Sequence, residues 1–357
     1  MSKEDYPVMT AEALRDFAAK ILEGGGFTRE ESVITAKSLV LANLMGHDSH
    51  GVIRVMEYTS FLHKGLVKSG IDLKILKDSA GSCVADAGLG LGQVQMPRFL
   101  DILLPKASEN GVASGALYHT GHTGRLGEWA EYAAEKGYAF FMSVNDNGAL
   151  GCVAPPGGKT AFSSTNPLAF GIPLKDGESF TIDMATSAAA IGKIRLAYLS
   201  GETVGDNLIQ DADGRPSNDP AVLFEEPQGS LLTAGGHKGF ALSLMMDCLA
   251  AGLSGGNMPP APDGAPLVNN AAVTIWDPQH FAGLNHMQNE AEKYLDFVRA
   301  IPPRDPANPV RIPGDRAKTS YADRLQNGIP LSRGTVDELI RRAEKFGITL
   351  PPEIQHS

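Results

Sequence analysis

Cysteine, positive charge and long apolar runs are all scarce in this chain, and each scarcity removes a class of function. Three cysteines occur, Cys83, Cys152 and Cys248. They are spaced too widely for a metal knuckle or a disulfide framework, so a reducing, cytoplasmic setting is expected. Lysine and arginine number 31 against 41 acidic residues, a net charge of -10. That balance argues against a nucleic-acid or anionic-membrane partner, because either needs a basic patch. The N-terminal MSKEDYPVMTAEAL lacks the apolar core of a signal peptide. The most apolar stretch, 240–253, is interrupted by Asp247 and too short to span a bilayer. Also missing are a GxGxxG fingerprint, an HExxH motif and any internal repeat.

What is present suits an ordinary globular enzyme with room for two domains: 357 residues, 43% hydrophobic and 20% charged. The first sixty residues read as helices. Leu14, Phe17, Ala18, Ile21 and Leu22 share one helical face, and Gly24–Gly26 ends it. Thr28 with Glu31 predicts a capping box, and Gly46 a break before a third helix with Ser49 as N-cap. From about residue 80, short apolar runs at 82–87, 137–144 and 271–276 alternate with Gly-rich turns and predict strands. Helix returns at the end, where Thr335 with Glu338 predicts another capping box and Gly347 a stop. The fold class is therefore α/β. Residues 1–120, completed by 285–357, form the expected helical and substrate-side domain, and 121–284 the central domain.

The chemistry concentrates in GHDSHGVIRVMEY, residues 46–58. A helix starting at Ser49 would put His50, Arg54 and Tyr58 on one face, at i, i+4 and i+8. A guanidinium can grip a carboxylate through two hydrogen bonds. An imidazole can pass a proton to a carbonyl oxygen as hydride reaches its carbon. Ser49 or Tyr58 can add a hydrogen bond. On spacing alone, a plain surface helix fits equally well. A metal site of His47, Asp48, His119 and His122 is a weaker reading, since HxxH pairs are frequent by chance; no metal is expected.

Further along, HTGHTGRLG (119–127) runs into a helix, a turn that either binds an anion such as a pyrophosphate or simply reverses the chain. The glycines of VADAGLGLG (84–92) have GxGxG spacing and read as structural. Asp183, among small and apolar residues, either orients a catalytic histidine or caps a helix starting near Ala185. The turns GGHKG (235–239) and PGDR (313–316) suit phosphate or ribose contact.

Taken together in order, GHDSHG with Arg54 and Tyr58, GHTGRLG, STNPLAFGIP, DMATSAAAIGK, GSLLTAGGHKGFAL, LSGG, IPGD and Arg324 before Gly328-Ile329 resemble one family over nearly the whole chain. It is the malate/L-lactate dehydrogenase-like oxidoreductases of the second, non-Rossmann type. The resemblance implies a dimer with a family-specific NAD(P)-binding fold and a largely antiparallel sheet. It implies hydride transfer between NAD or NADP and a small 2-oxo or 2-hydroxy acid, or a cyclic imino acid. By position, His50 resembles the catalytic acid/base that also touches the nicotinamide, and Asp183 its acidic partner. Ser49 is implied beside them, with Arg54, Tyr58 and His122 on the substrate side. Cofactor contacts are implied at Gly124, Arg125, Leu126, Thr181, Ile182, Asp183, Met184, Ala185, His237, Asn269, Gly314, Asp315, Arg316 and Ala317. Departures occur at His119-Thr120, at PGD in place of the commoner PGE, and at GETVGDN after Ser200. They bear on substrate and on NAD/NADP choice. A binding protein without catalysis is a further alternative.

Overall fold

The computed structural model describes residues 7–354. A short strand, β1 (Val8–Met9), precedes three helices, α1 (Ala11–Gly24), α2 (Arg29–Leu44) and α3 (Arg54–His63). The Thr10 hydroxyl caps α1, which turns Leu14, Phe17, Ile21 and Leu22 inward before Gly25 ends it. Burying each of these side chains contributes about 1.5–3 kcal/mol. The capping box expected at Thr28 and Glu31 forms. Glu31 is buried because it does more than cap: Gly70 N–H and Ser69 Oγ also donate to it, tying the loop after α3 onto α2.

Next come β2 (Lys74–Asp78), β3 (Ser82–Asp86), α4 (Gly92–Asn110), β4 (Val112–Thr120), α5 (Gly127–Ala134), β5 (Ala139–Asn145), β6 (Leu168–Pro173) and β7 (Ser179–Met184). Helix α6 (Ile191–Ser200) precedes three two-residue strands, β8 (Ile209–Gln210), β9 (Pro216–Ser217) and β10 (Ser230–Leu231), which form a small separate sheet. The chain closes with α7 (His237–Ser254), β11 (Asn269–Trp276), α8 (Leu284–Arg299), α9 (Asp315–Asn327), β12 (Ile329–Pro330) and α10 (Arg333–Phe346).

The main sheet has seven strands in the order β2-β3-β4-β11-β5-β6-β7. Its β3–β4 pair is parallel and the other five pairs are antiparallel. Alternation decides its faces. Phe140, Met142 and Val144 join Ala271, Val273 and Ile275 in one core with α4 and α5. From the opposite face, Asn145 reaches Asp247 of α7. Gly115 lets α4 lie close, since a Cβ there would sit 2.6 Å from Phe99 Cζ. A second core joins both ends of the chain: α1, α2 and α3 pack with α10, and β1 pairs with β12.

One expectation, the start of the last helix, is corrected, and two observations bear on the expected domain division. The division at residue 120 falls inside the main sheet, because β2, β3 and β4 are hydrogen-bonded into it. The segment 285–357 is split: α10 joins the terminal core, whereas Gln288 and Glu292 of α8 bond Leu174 O and Lys175 N–H beside β6. Finally, α10 starts three residues early, since Ser332 rather than Thr335 supplies the cap; Glu338 pairs instead with Arg341.

Candidate active site

The GHDSHG segment does not continue into one helix. Asp48–His50 form a single 3-10 turn, and α3 begins only at Arg54. Ser49 is therefore not its N-cap. The cause lies in α2: Asn43 Oδ1 accepts from Val52 N–H, and its amide donates to Asp48. That bond draws the chain so close that a Cβ on Gly51 would lie 2.2 Å from Asn43 Oδ1. Arg324 of α9 holds the turn from the other side, bonding both Asp48 oxygens at 2.6 and 3.0 Å. The turn is rigid from two directions.

On this turn the His50 ring stacks on His122, with centroids 5.5 Å apart. Ser49 Oγ lies 3.0 Å from His50 Nδ1, and Tyr58 Oη 2.7 Å from His122 Nδ1. Neither Nε2 has a protein partner among the described residues. Burial, helped by Arg54, His47 and Arg125, lowers His50 to a pKa of about 3. Burial with Arg54 and His50 holds His122 well below the ordinary range. His47 falls to about 4 through burial and the Arg125 and Arg316 charges. All three imidazoles are neutral in the free protein at pH 7.

Arg54 sits at the rim, its Nε donating to Ser49 O at 2.7 Å and its Nη1 paired with Glu57 at 2.5 Å. Among the described residues Nη2 has no hydrogen-bond partner. On the far side of the turn, a Cβ on Gly192 of α6 would lie 3.3 Å from Ser49 Cβ.

Asp183 caps a helix, though a different one from that expected. Its Oδ2 accepts from Gly127 N–H at 2.8 Å, capping α5 rather than a helix near Ala185; α6 starts only at Ile191. Besides burial, the Arg54 and Arg125 guanidinium charges hold His50 low. The anion turn at 119–127 is thus filled from within: Asp183 occupies the α5 N-terminus, and the buried Arg125 is held bidentately by Glu131. Gly124 has φ +72°, and Leu126 is buried.

Thr181, Ile182, Met184 and Ala185 lie on or just after β7, the sheet's edge strand. The Gly314–Ala317 turn meets that edge, since a Cβ on Gly314 would lie 3.4 Å from Thr181 O. Asp315 is engaged by Arg299 and by Ile312 N–H, whereas Arg316 is exposed and acts on His47. His237 is exposed at the start of α7. Asn269 accepts from Thr123 N–H at 3.0 Å and so anchors the His122 loop to the sheet.

Sequence reasoning missed Asn43, Gln93 and Glu128. Gln93 donates to Tyr58 Oη at 2.8 Å. Glu128 is raised to about 7 by burial, although Ser38 hydrogen-bonds it. Only the adjacent GLGLG run could have drawn attention to Gln93. The four groups of the metal reading do not converge: among the described residues no three His, Cys, Asp or Glu side chains gather around one point. Asp48 belongs to Arg324, and His119 faces Asp86.

A largely antiparallel sheet with two neutral, stacked histidines at its rim defines an α/β protein of non-Rossmann type, with a site suited to proton transfer. Comparison then narrows the class. The sequence profile described as malate/L-lactate dehydrogenase matches residues 9–340, and the chain belongs to that family. Hydroxycarboxylate dehydrogenase B of Escherichia coli O157:H7 is 32% identical over 344 residues, 95% of this chain and 94% of the relative. A Delta(1)-pyrroline-2-carboxylate/Delta(1)-piperideine-2-carboxylate reductase of Pseudomonas syringae pv. tomato is 32% identical over 348 residues, 95% and 97%. The solved malate dehydrogenase of Pyrococcus horikoshii OT3 superposes with a TM-score of 0.86 at 27% identity, covering 97% of each chain. The chain is an oxidoreductase of that family, whose relatives are named for hydroxy acids and cyclic imino acids.

Proposed function

We propose that this chain reduces small 2-oxo acids with NADH or NADPH, and in reverse oxidises 2-hydroxy acids. One observation carries the reading: two stacked, neutral imidazoles with open Nε2 atoms, beside an arginine with a free Nη2. In reduction, His50 gives its proton to the carbonyl oxygen as hydride reaches the carbonyl carbon, and in oxidation it takes that proton back. Arg54 binds the substrate carboxylate, and Tyr58 and His122 line the same side. The neutral state of His50 in the free protein means that it must gain a proton as the anionic substrate enters. The substrate's negative charge favours that uptake.

The residues present fit a dinucleotide. Edge strand β7 with Thr181–Ala185, the Gly314–Ala317 turn against it, exposed Arg316, and the Gly235-Gly236 turn before His237 form an open polar border. Gly236 has φ +61° and open space where a side chain would stand. When bound, the nicotinamide supplies the hydride. Gly124, Arg125, Leu126 and Asp183 support this border from beneath rather than through free charges. Exposed Leu196 and Leu199 on α6, and exposed Leu244, Met245 and Leu253 on α7, are apolar groups that homodimer contacts would cover. The three free thiols suit a reducing, cytoplasmic setting.

The reductase relative acts, by its name, on cyclic imino acids and is as similar as the hydroxycarboxylate relative, so C=N substrates belong in the same test. A panel of 2-oxo acids and cyclic imino acids, each with NADH and NADPH, checks the reading by loss of NAD(P)H absorbance. Turnover with at least one 2-oxo acid is expected. Turnover restricted to imino acids moves the assignment to the reductase, and none with either class overturns it.

A further inference from the structure

Gln93, Tyr58 and His122 form a hydrogen-bond chain with a fixed direction, and its end is the open Nε2 of His122. We propose that Gln93 is a positioning residue: through Tyr58 it holds His122 as the Nε2–H tautomer. His122 is then a permanent donor to the substrate, and His50 alone exchanges a proton. This role rests on the 2-oxo acid reading above.

The direction follows from proton counting. The Gln93 amide donates to Tyr58 Oη at 2.8 Å. The phenol has one proton, which is left for its other neighbour, His122 Nδ1, at 2.7 Å. Tyr58 is buried and its pKa is raised, so it keeps that proton. Nδ1 of a neutral imidazole that accepts a hydrogen bond leaves Nε2 as the protonated nitrogen. Gln93 is itself fully buried, with its Oε1 unpartnered. Reversing the amide would bury an unmet NH2 in that place instead.

Two glycines make room for the chain. A Cβ on Gly124 would lie 2.9 Å from Gln93 Nε2, and one on Gly92 would lie 2.5 Å from His122 O. Gly92, the last glycine of the GLGLG run, therefore has a use at the site: it lets α4 start against the His122 backbone, one residue before Gln93.

Histidine tautomers are read directly by long-range 1H–15N correlation on the 15N-histidine-labelled full-length protein without ligands. The expected result is His122 protonated on Nε2 in the wild type, and a mixture of tautomers in Gln93→Leu. The bias supplied by one hydrogen bond is worth about tenfold in the tautomer ratio, and kcat falls by up to the same factor with a smaller change in KM. Wild-type His122 protonated on Nδ1, or a folded Gln93→Leu that stays wholly Nε2–H with unchanged kcat, overturns the proposal. Should Gln93→Leu not fold, the wild-type tautomer and its loss in Tyr58→Phe decide. Because the tautomer is read without substrate, failure to reduce any 2-oxo acid would overturn the functional reading and leave this measurement standing.

Discussion

Two glycine-rich turns meet at the site, residues 46–51 and 119–127, and they treat their charged groups in opposite ways. Both carry two histidines, and both stand beside an arginine. In the second turn the charges are closed on themselves: Asp183 fills the α5 N-terminus and Glu131 grips the buried Arg125. In the first, His50 has one nitrogen beside Ser49, and among the described residues its other nitrogen and Arg54 Nη2 have no partner. An anion-binding pattern in sequence becomes a ligand site only if the protein does not supply the anion itself. The second turn closes its charged groups on itself and offers only the His122 ring, whereas the first offers both His50 and the neighbouring Arg54.

The contrast is sharpest at His50. His50→Ala is expected to lower kcat by about 1000-fold, while dinucleotide affinity, measured by fluorescence titration, stays within a few-fold. Near-normal turnover would break the contrast. Asp183 should behave differently: Asp183→Ala strips the α5 cap and removes an anion beside Arg125. A loss of about 2 kcal/mol in denaturant unfolding is expected, with an unchanged pH profile of kcat in the folded fraction. A shifted profile would instead return Asp183 to His50 as its partner.

A pH-dependent difference of similar size follows from the neutral state of His50. Its folded pKa of about 3 lies below the unfolded value of 6.5, so between those values the unfolded chain binds the extra proton. Stability contributed by neutral His50 is present above pH 6.5 and is lost as pH falls toward 3. The wild-type advantage over His50→Asn in urea unfolding should shrink by about 2 kcal/mol from pH 7 to pH 4.5. The smallest effect concerns Glu57, which pairs with Arg54 and, on the proposed reading, would compete there with the incoming carboxylate. Glu57→Gln should lower KM for a 2-oxo acid about threefold, in line with a surface-type ion pair; a raised KM would make Glu57 a support for Arg54 rather than a competitor.

Much of the fold was legible because its signals are local. The Thr28–Glu31 box, the glycine stops at Gly25 and Gly347, and the apolar runs that became β3, β5 and β11 each lie within a few residues of what they determine. The site was legible by residue type and less so by partner. His50, Arg54, Tyr58 and His122 are brought together, but the turn at Asp48–His50 depends on Asn43 and on Arg324, which lies 276 residues from Asp48. Asp183 bonds a backbone N–H 56 residues away, and Gln93 reaches Tyr58 across 35. Such pairings arise from sheet order and helix packing, which periodicity does not encode. Ser332 displaced the expected Thr335 cap for a nearer reason, since two hydroxyl caps three residues apart compete and the earlier one extends the helix.

The most direct test of hydride transfer with His50 as the proton carrier uses NAD(P)H deuterated at the nicotinamide C4 with a turned-over 2-oxo acid. The product's C2 is then read by NMR in the wild type and in His50→Ala. The account predicts deuterium at C2 of the 2-hydroxy acid from the wild type and little product from the variant. Product without deuterium from either stereospecifically labelled cofactor, or undiminished labelled product from His50→Ala, would contradict it.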